Sequence, residues 1–97
     1  MKIHLIGSKD IIIGFELIGI KGTVFEGKDE TIDLIQKLIK SEDFVLLIIE
    51  NFIYDQLEDF LDDIRIKNLN VIIVKIPGLN EEFPKFDPNK IYRQIFG

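Results

Sequence analysis

The chain has 97 residues, of which 46% are hydrophobic and 30% charged, and its formal net charge is −5. This size predicts a single domain, and the composition is typical of a globular protein rather than a disordered one. The acidic balance argues against a nucleic-acid binder, and the absence of cysteine excludes disulfides, thiolate catalysis and Cys-based zinc sites. Because the sequence has neither a signal-peptide pattern nor an apolar run of the ~18 residues that a membrane span needs, we expect a cytoplasmic protein.

The first half of the chain alternates short apolar runs with helical patterns. Lys2–Ile6 is predicted as a strand, and Asp10–Gly19 as a helix with an acidic first turn and a glycine stop. Lys21–Phe25 lies among glycines and is predicted as a short edge strand. Asp29 or Thr31 is expected to cap a second helix. Its apolar side is formed by Ile32, Leu34, Ile35, Leu38 and Ile39.

The second half continues the alternation. Phe44–Ile49 is apolar throughout, as expected for a central parallel strand buried on both faces. Tyr54–Ile66 is predicted as a helix, and Val71–Ile76 as a fourth strand that Pro77 and Gly78 end. The apolar stripe of the helix comprises Ile53, Leu57, Phe60, Leu61 and Ile64. Its acidic side is interpreted as a solvated face, with a docking surface for a basic partner as the alternative, and comprises Asp55, Glu58, Asp59, Asp62 and Asp63.

The composition changes after Gly78. Prolines and charges predict a linker over 79–88, where Asp87 and Pro88 form a typical helix start. The short helix that follows carries an apolar stripe and needs a surface to lie on. Its stripe comprises Ile91, Tyr92, Ile95 and Phe96. We therefore predict a globular domain over 1–78, and a linker with a mobile C-terminal helix over 79–97.

The order of the elements predicts an α/β fold. Strands that alternate with helices form a parallel sheet with right-handed crossovers and helices on both faces. We predict a four-stranded parallel sheet in the order 2-1-3-4 flanked by helices, Rossmann-like or receiver-like, with the short C-terminal helix attached through its linker.

Few residues are candidates for chemistry. His4 is the only histidine and lies within the first strand, so we interpret it as structural. Asp10 and Glu50 follow the first and third strands, where they could approach each other at one edge of the sheet. A phosphoacceptor receiver domain would need an acidic pair, an aspartate and a lysine at such positions, and this pattern is incomplete here. We predict no catalytic, cofactor or metal site.

Apolar side chains are concentrated between Gly7 and Ile20. A helix that is apolar nearly all round must be covered on more than one side. Ile11, Phe15 and Ile18 can fill the domain's own core or form an interface, and both interpretations stay open.

Three stretches of sequence together carry a family resemblance. They are the spaced residues Gly7, Asp10, Gly14, Phe15, Leu17, Gly19 and Ile20, then Leu47–Glu50, then Ile76, Pro77 and Gly78. Their order and spacing resemble the F subunit of V-type and archaeal A-type rotary ATPases and ATP synthases, over essentially the whole chain. Two places depart from that pattern. Ser8 and Lys9 replace an acidic residue that often follows Gly7, and Lys75 replaces one that often precedes Ile-Pro-Gly.

The resemblance implies a non-catalytic subunit of the central stalk, or rotor, of a complex that translocates protons or sodium. It implies binding to the coiled coil of the D subunit, while the A and B subunits handle ATP. The expected contact residues are Phe15, Leu17, Ile76, Pro77 and Gly78. The C-terminal helix, with Ile91, Tyr92, Ile95 and Phe96, is expected to reach toward the A and B subunits and regulate ATP hydrolysis. Such a subunit is peripheral to the membrane through its complex and does not insert into it.

Two interpretations from other classes remain. One is a stand-alone, degenerate receiver-like signalling domain in which Glu50 imitates a phosphorylated acid. The other is a small enzyme that uses Asp10 and Glu50 as an acid/base pair, which is weaker because no nucleophile or electrophile accompanies them.

Overall fold

The computed structural model describes residues 1–41 and 43–78. Its elements in chain order are β1 (Lys2–Gly7), α1 (Lys9–Glu16), β2 (Gly22–Val24), α2 (Lys28–Ser41), β3 (Val45–Glu50), α3 (Asn51–Gln56), α4 (Glu58–Lys67) and β4 (Val71–Ile76). The four strands form one parallel sheet in the order β2-β1-β3-β4, which confirms the predicted fold. The predicted linker and C-terminal helix, residues 79–97, lie outside the described residues.

The larger core lies between the sheet and α2, α3 and α4. Side chains of a strand alternate between the two faces of the sheet, and Ile6, Leu47 and Ile73 point into this core from β1, β3 and β4. Ile35 of α2 and Leu61 of α4 pack onto them from the helices and are almost completely buried. This face of β1, β3 and β4 is therefore largely covered.

The opposite face is covered only in part. Ile11 and Ile12 of α1 pack with Leu5 into a smaller cluster, which Phe15 and Ile76 also join. Beyond α1, cross-strand neighbours in register form an apolar area that we call the open sheet face: Ile3, Leu46 and Ile72 in one row, with Ile48 and Val74 in the next. Ile72 is 57% exposed and Val74 41%. The expectation that the third strand is buried on both faces therefore holds for one face only, because Leu46 and Ile48 are half-buried.

The end of α1 follows the glycine that the sequence indicated, although the helix is shorter than expected. The helix ends at Glu16, and a turn leads to Gly19, whose φ of 88° is left-handed. The Ile20 amide donates to the Phe15 carbonyl at 3.1 Å, and the Gly19 amide to the Glu16 carbonyl at 3.0 Å. A left-handed residue with such bonds is a common helix stop, and glycine adopts it without steric cost.

The expected caps of α2 are wrong. The helix begins at Lys28, one residue before Asp29 and three before Thr31, so both lie within its first turn. The negative charge of Asp29 still interacts favourably with the positive end of the helix dipole. The Thr31 hydroxyl donates to the Gly27 carbonyl at 2.7 Å, which satisfies this buried side chain within its own turn.

The predicted third helix is divided in two at Leu57. This residue has φ −117° and ψ 20°, outside the helical region, and its amide bonds to the carbonyls of both Ile53 and Tyr54. The apolar stripe nevertheless continues across the break, because Ile53, Leu57 and Leu61 are all buried.

Within residues 1–41 and 43–78, none of the helices combines the length and the apolar character that crossing a membrane requires.

Candidate functional site

A buried carboxylate lies at the carboxyl edge of the sheet. Glu50, the last residue of β3, is only 4% exposed. Its Oε1 atom accepts a hydrogen bond from the Ser8 amide and another from the Ser8 hydroxyl, both at 2.9 Å. Ser8 precedes α1 and does not use its hydroxyl to cap that helix. Each hydrogen bond to a charged group contributes about 1.5–3 kcal/mol, so this pair offsets much of the cost of burying Glu50.

Two glycines make room for the Glu50 carboxylate. A Cβ atom at residue 7 would lie 3.0 Å from Oε1, and one at residue 78 would lie 2.6 Å from Oε2. The second distance is too short for any real side chain, so Gly78 must lack one unless the carboxylate moves. Residues from all three stretches of the family resemblance, Gly7, Glu50 and Gly78, therefore meet at one point.

The structure does not support Asp10 as a partner of Glu50. Asp10 is exposed in the first turn of α1, whereas Glu50 is buried and hydrogen-bonded to Ser8. An acid/base pair or a phosphorylated acid needs access for its substrate, and Ser8, Gly7 and Gly78 enclose Glu50 instead. Within the described parts of the chain, no group of three or more His, Asp or Glu side chains is placed to hold a metal ion.

The outer surface of α1 and the turn after it carry large uncovered apolar side chains. Asp10, Ile11, Gly14, Phe15 and Ile18 line a shallow groove of about 220 Å³. Ile18 is 72% exposed beside it, and Leu17 is 84% exposed. Of the three residues left open between core and interface, Ile11 is buried, Phe15 is half-buried and Ile18 faces outward.

The predicted contact residues fall into two environments. Phe15 and Ile76 pack against the same small cluster around Leu5, although they are far apart in sequence. Leu17 and Pro77 are exposed, and Gly78 is buried against Glu50. Their role in binding stays a prediction. The other predicted residues, Ile91, Tyr92, Ile95 and Phe96, lie outside the described residues.

His4 has a partner on the neighbouring strand. Its Nε2 atom lies 2.8 Å from the Thr23 hydroxyl oxygen, across the β1–β2 pair. Burial lowers the pKa of His4 below its ordinary value of 6.5, and the positive charge of Lys2 lowers it further. The imidazole therefore stays neutral at neutral pH, in keeping with a structural residue.

Lys75, where the sequence departs from the family pattern, has a local function. Its ammonium lies 4.5 Å from the centre of the Tyr54 ring, and the Arg65 guanidinium lies 5.2 Å from the same centre. The Tyr54 hydroxyl donates to the Asp62 carboxylate. Burial, and then the hydrogen bond to Asp62, raise the pKa of Tyr54 above its ordinary value of 10.0. An acidic residue in place of Lys75 would lose the favourable contact with the ring.

The fold and the site define a small parallel α/β domain with an uncovered apolar surface on α1 and on its sheet, and with a buried carboxylate in a structural role. Residues 3–94 match the family described as ATP synthase (F/14-kDa) subunit. The chain belongs to this family.

Three relatives extend the comparison, and each is named as the F subunit of an A-type ATP synthase. The protein of Methanocaldococcus jannaschii is 32% identical over 100 residues, covering 100% of this chain and 96% of the relative. That of Methanococcoides burtonii is 28% identical, covering 84% of this chain and 82% of its own. That of Methanothermobacter thermautotrophicus is 32% identical, covering 78% and 72%. The family resemblance inferred from the sequence is thereby confirmed.

Proposed function

We propose that this chain is a non-catalytic central-stalk subunit of an A-type ATP synthase or ATPase that translocates protons or sodium. The observation that carries the proposal is the family match over residues 3–94, together with relatives named as F subunits of A-type ATP synthases. An accessory subunit is supported because the carboxylate is enclosed and the large apolar side chains of Leu17 and Ile18 after α1 are exposed. Such a subunit works in the cytoplasm and reaches the membrane only through its complex.

The proposed partner is the coiled coil of the D subunit. The a and d side chains of a coiled coil pack between its own helices, so this groove would take apolar side chains from outward-facing positions of one helix. The groove on α1 has an apolar floor formed by Ile11 and Phe15. Two exposed side chains follow in the sequence: Ile18, which also lines the groove, and Leu17 just before it. Burying either of these two exposed side chains would contribute about 1.5–3 kcal/mol. Ile76, which packs on the same small cluster as Phe15, and the exposed Pro77 after it are further proposed contacts.

The C-terminal segment is the proposed regulatory element. Its apolar stripe, Ile91, Tyr92, Ile95 and Phe96, either docks on the domain or is released toward the A and B subunits. We assign the docked position to the open sheet face, since parallel sheets are normally covered on both faces. The linker over 79–88 reaches up to about 30 Å when extended. This exceeds the length of β4, about 20 Å, so the helix can fold back across β3 and β4.

Co-expression with the D subunit tests the stalk assignment. If the proposal is correct, the two chains elute together in size-exclusion chromatography as a complex of equal stoichiometry. Elution of the chain by itself, in the presence of a folded D subunit, would overturn the assignment.

Truncation after Gly78 tests the regulatory assignment separately. The complex reconstituted with the truncated chain should hydrolyse ATP at a changed rate, while the truncated chain still binds the D subunit through α1. An unchanged rate would show that the segment has no regulatory role, even if stalk binding survives.

A further inference from the structure

Glu50 is a buried ionisable group that neither the proposed partner contact nor the regulatory helix uses directly. Among the described residues, the buried polar or charged side chains are Thr31 and Glu50, and Thr31 bonds within its own turn. A carboxylate is costly to bury, and an apolar side chain at the end of a central strand would pack without that cost. The position of Glu50 therefore calls for a specific use of its charge.

The Glu50 side chain contacts the chain at two separate places, the adjacent residues Gly7 and Ser8 and the distant Gly78. Oε1 accepts both hydrogen bonds from Ser8, at the start of α1. Oε1 also lies against Gly7, at the end of β1, and Oε2 lies against Gly78, where the described chain leaves β4. One carboxylate thus joins the first turn of the proposed partner-binding helix to the root of the proposed regulatory segment.

We propose that Glu50 couples the position of Gly78 to the amino terminus of α1. When the chain at Gly78 shifts toward the carboxylate, or gains a side chain, Oε2 must give way, because a Cβ at residue 78 would lie only 2.6 Å from it. Since both oxygens belong to one planar group, displacing Oε2 also turns or shifts Oε1, and the hydrogen bonds from Ser8 weaken. The first turn of α1, with Ile11 in the floor of the groove, is then less firmly held.

This coupling gives the two proposed surfaces a route of communication. When the C-terminal segment changes position, it displaces Gly78. That displacement reaches the groove on α1 through Glu50. The same coupling runs in the other direction, since the free energy that links two sites is reciprocal. That use of the coupling rests on the proposed function, whereas the coupling itself is a property of the isolated chain.

Amide hydrogen exchange on the full-length chain, without any partner, tests the coupling. The reporters are the Ser8 amide, which donates to Glu50, and the Ile12 amide, which donates to the Ser8 carbonyl at 3.0 Å. In Gly78→Ala the Ser8 amide should exchange about tenfold faster or more, the change expected when a charge-assisted hydrogen bond is lost. The Leu61 amide in α4, bonded to the Leu57 carbonyl at 2.9 Å, serves as the internal control.

Two further variants complete the test. Ser8→Ala should accelerate exchange of the Gly78 amide, which tests the reverse direction and remains informative if Gly78→Ala does not fold. Glu50→Gln keeps the shape but not the charge, and should accelerate the Ser8 amide less than Gly78→Ala does. Exchange at Ser8 and Gly78 that stays within about twofold of the parent chain in all three variants would overturn the coupling. Equal acceleration at Leu61 would also overturn it, since the effect would be global unfolding. Neither outcome depends on binding of the D subunit. The coupling can therefore be refuted while the proposed function stands, and the reverse.

Discussion

The Lys75 ammonium lies 4.5 Å from the centre of the Tyr54 ring, and this contact joins β4 to α3. A cation above an aromatic face at an exposed site contributes about 0.5–1 kcal/mol. Lys75→Gln should therefore lower the free energy of unfolding by about that amount, measured by urea denaturation. Lys75→Arg keeps a cation above the ring and is the matched control. A Gln variant as stable as the Arg variant would contradict this role.

A second prediction follows from the close approach of α1 to β2. A Cβ at residue 22 would lie 2.5 Å from the Ile12 Cδ1 atom and 2.9 Å from the Leu5 carbonyl oxygen. Because the carbonyl belongs to the backbone and cannot move aside, Gly22→Ala should cost about 1–3 kcal/mol of stability by overpacking.

Gly14→Ala provides the control for that substitution. A Cβ at residue 14 meets nothing within 4 Å, and the residue lies within α1. Replacing a helical glycine by alanine there should stabilise the protein by about 0.5–1 kcal/mol. Thermal unfolding of both variants should thus shift in opposite directions, and a Gly22→Ala variant as stable as the parent would show that α1 and β2 are not tightly packed.

His4 makes the stability depend on pH in a defined window. Because burial lowers its pKa in the folded protein, the unfolded chain binds a proton more readily. The contribution of neutral His4 is thus present above its ordinary pKa of 6.5 and is lost as the pH falls through its lower folded value. The urea midpoint should decrease between pH 7.5 and pH 5.5, and His4→Gln should reduce that decrease. Equal decreases in both proteins would assign the pH dependence to other groups.

Phosphorylation of Glu50 is not expected. The carboxylate is 4% exposed and already accepts two hydrogen bonds from Ser8. Incubation with acetyl phosphate and magnesium should leave the intact mass unchanged. A metal-dependent gain of one phosphoryl group would instead favour the receiver-like signalling interpretation.

The sheet could be predicted because each strand is an apolar run with clear ends. Val71–Ile76 agrees with its predicted bounds, since Pro77 and Gly78 stop it. The break at Leu57 could not be predicted, because neither glycine nor proline marks it and the apolar stripe continues through it. The start of α2 at Lys28 was missed because Thr31 bonds backward to Gly27 rather than capping the helix.

The site could be predicted only in its parts. Gly7, Glu50 and Gly78 were all recognised in the sequence, but as separate motif positions. Their meeting depends on the register of β1, β3 and β4, which the strands' own sequences do not specify. A buried acid at the end of an apolar strand, with glycines after neighbouring strands, is the signal that could have indicated an enclosed carboxylate. The sequence instead suggested Asp10 as the neighbour of Glu50, because two carboxylates are a familiar catalytic pair. The observed partner is Ser8.

Calorimetric titration of the D-subunit coiled coil into the full-length chain decides whether the apolar surface of α1 binds that coiled coil, as we propose. We predict binding at equal stoichiometry and, for Leu17→Asp, an affinity at least about tenfold lower, because a buried leucine contributes about 1.5–3 kcal/mol. Leu69→Asp is the matched control, since Leu69 is 95% exposed between α4 and β4, whereas α1 connects β1 to β2 on the other side of the sheet order, and its affinity should equal that of the parent chain. Absence of binding by the parent chain, or equal losses in both variants, would contradict the claim.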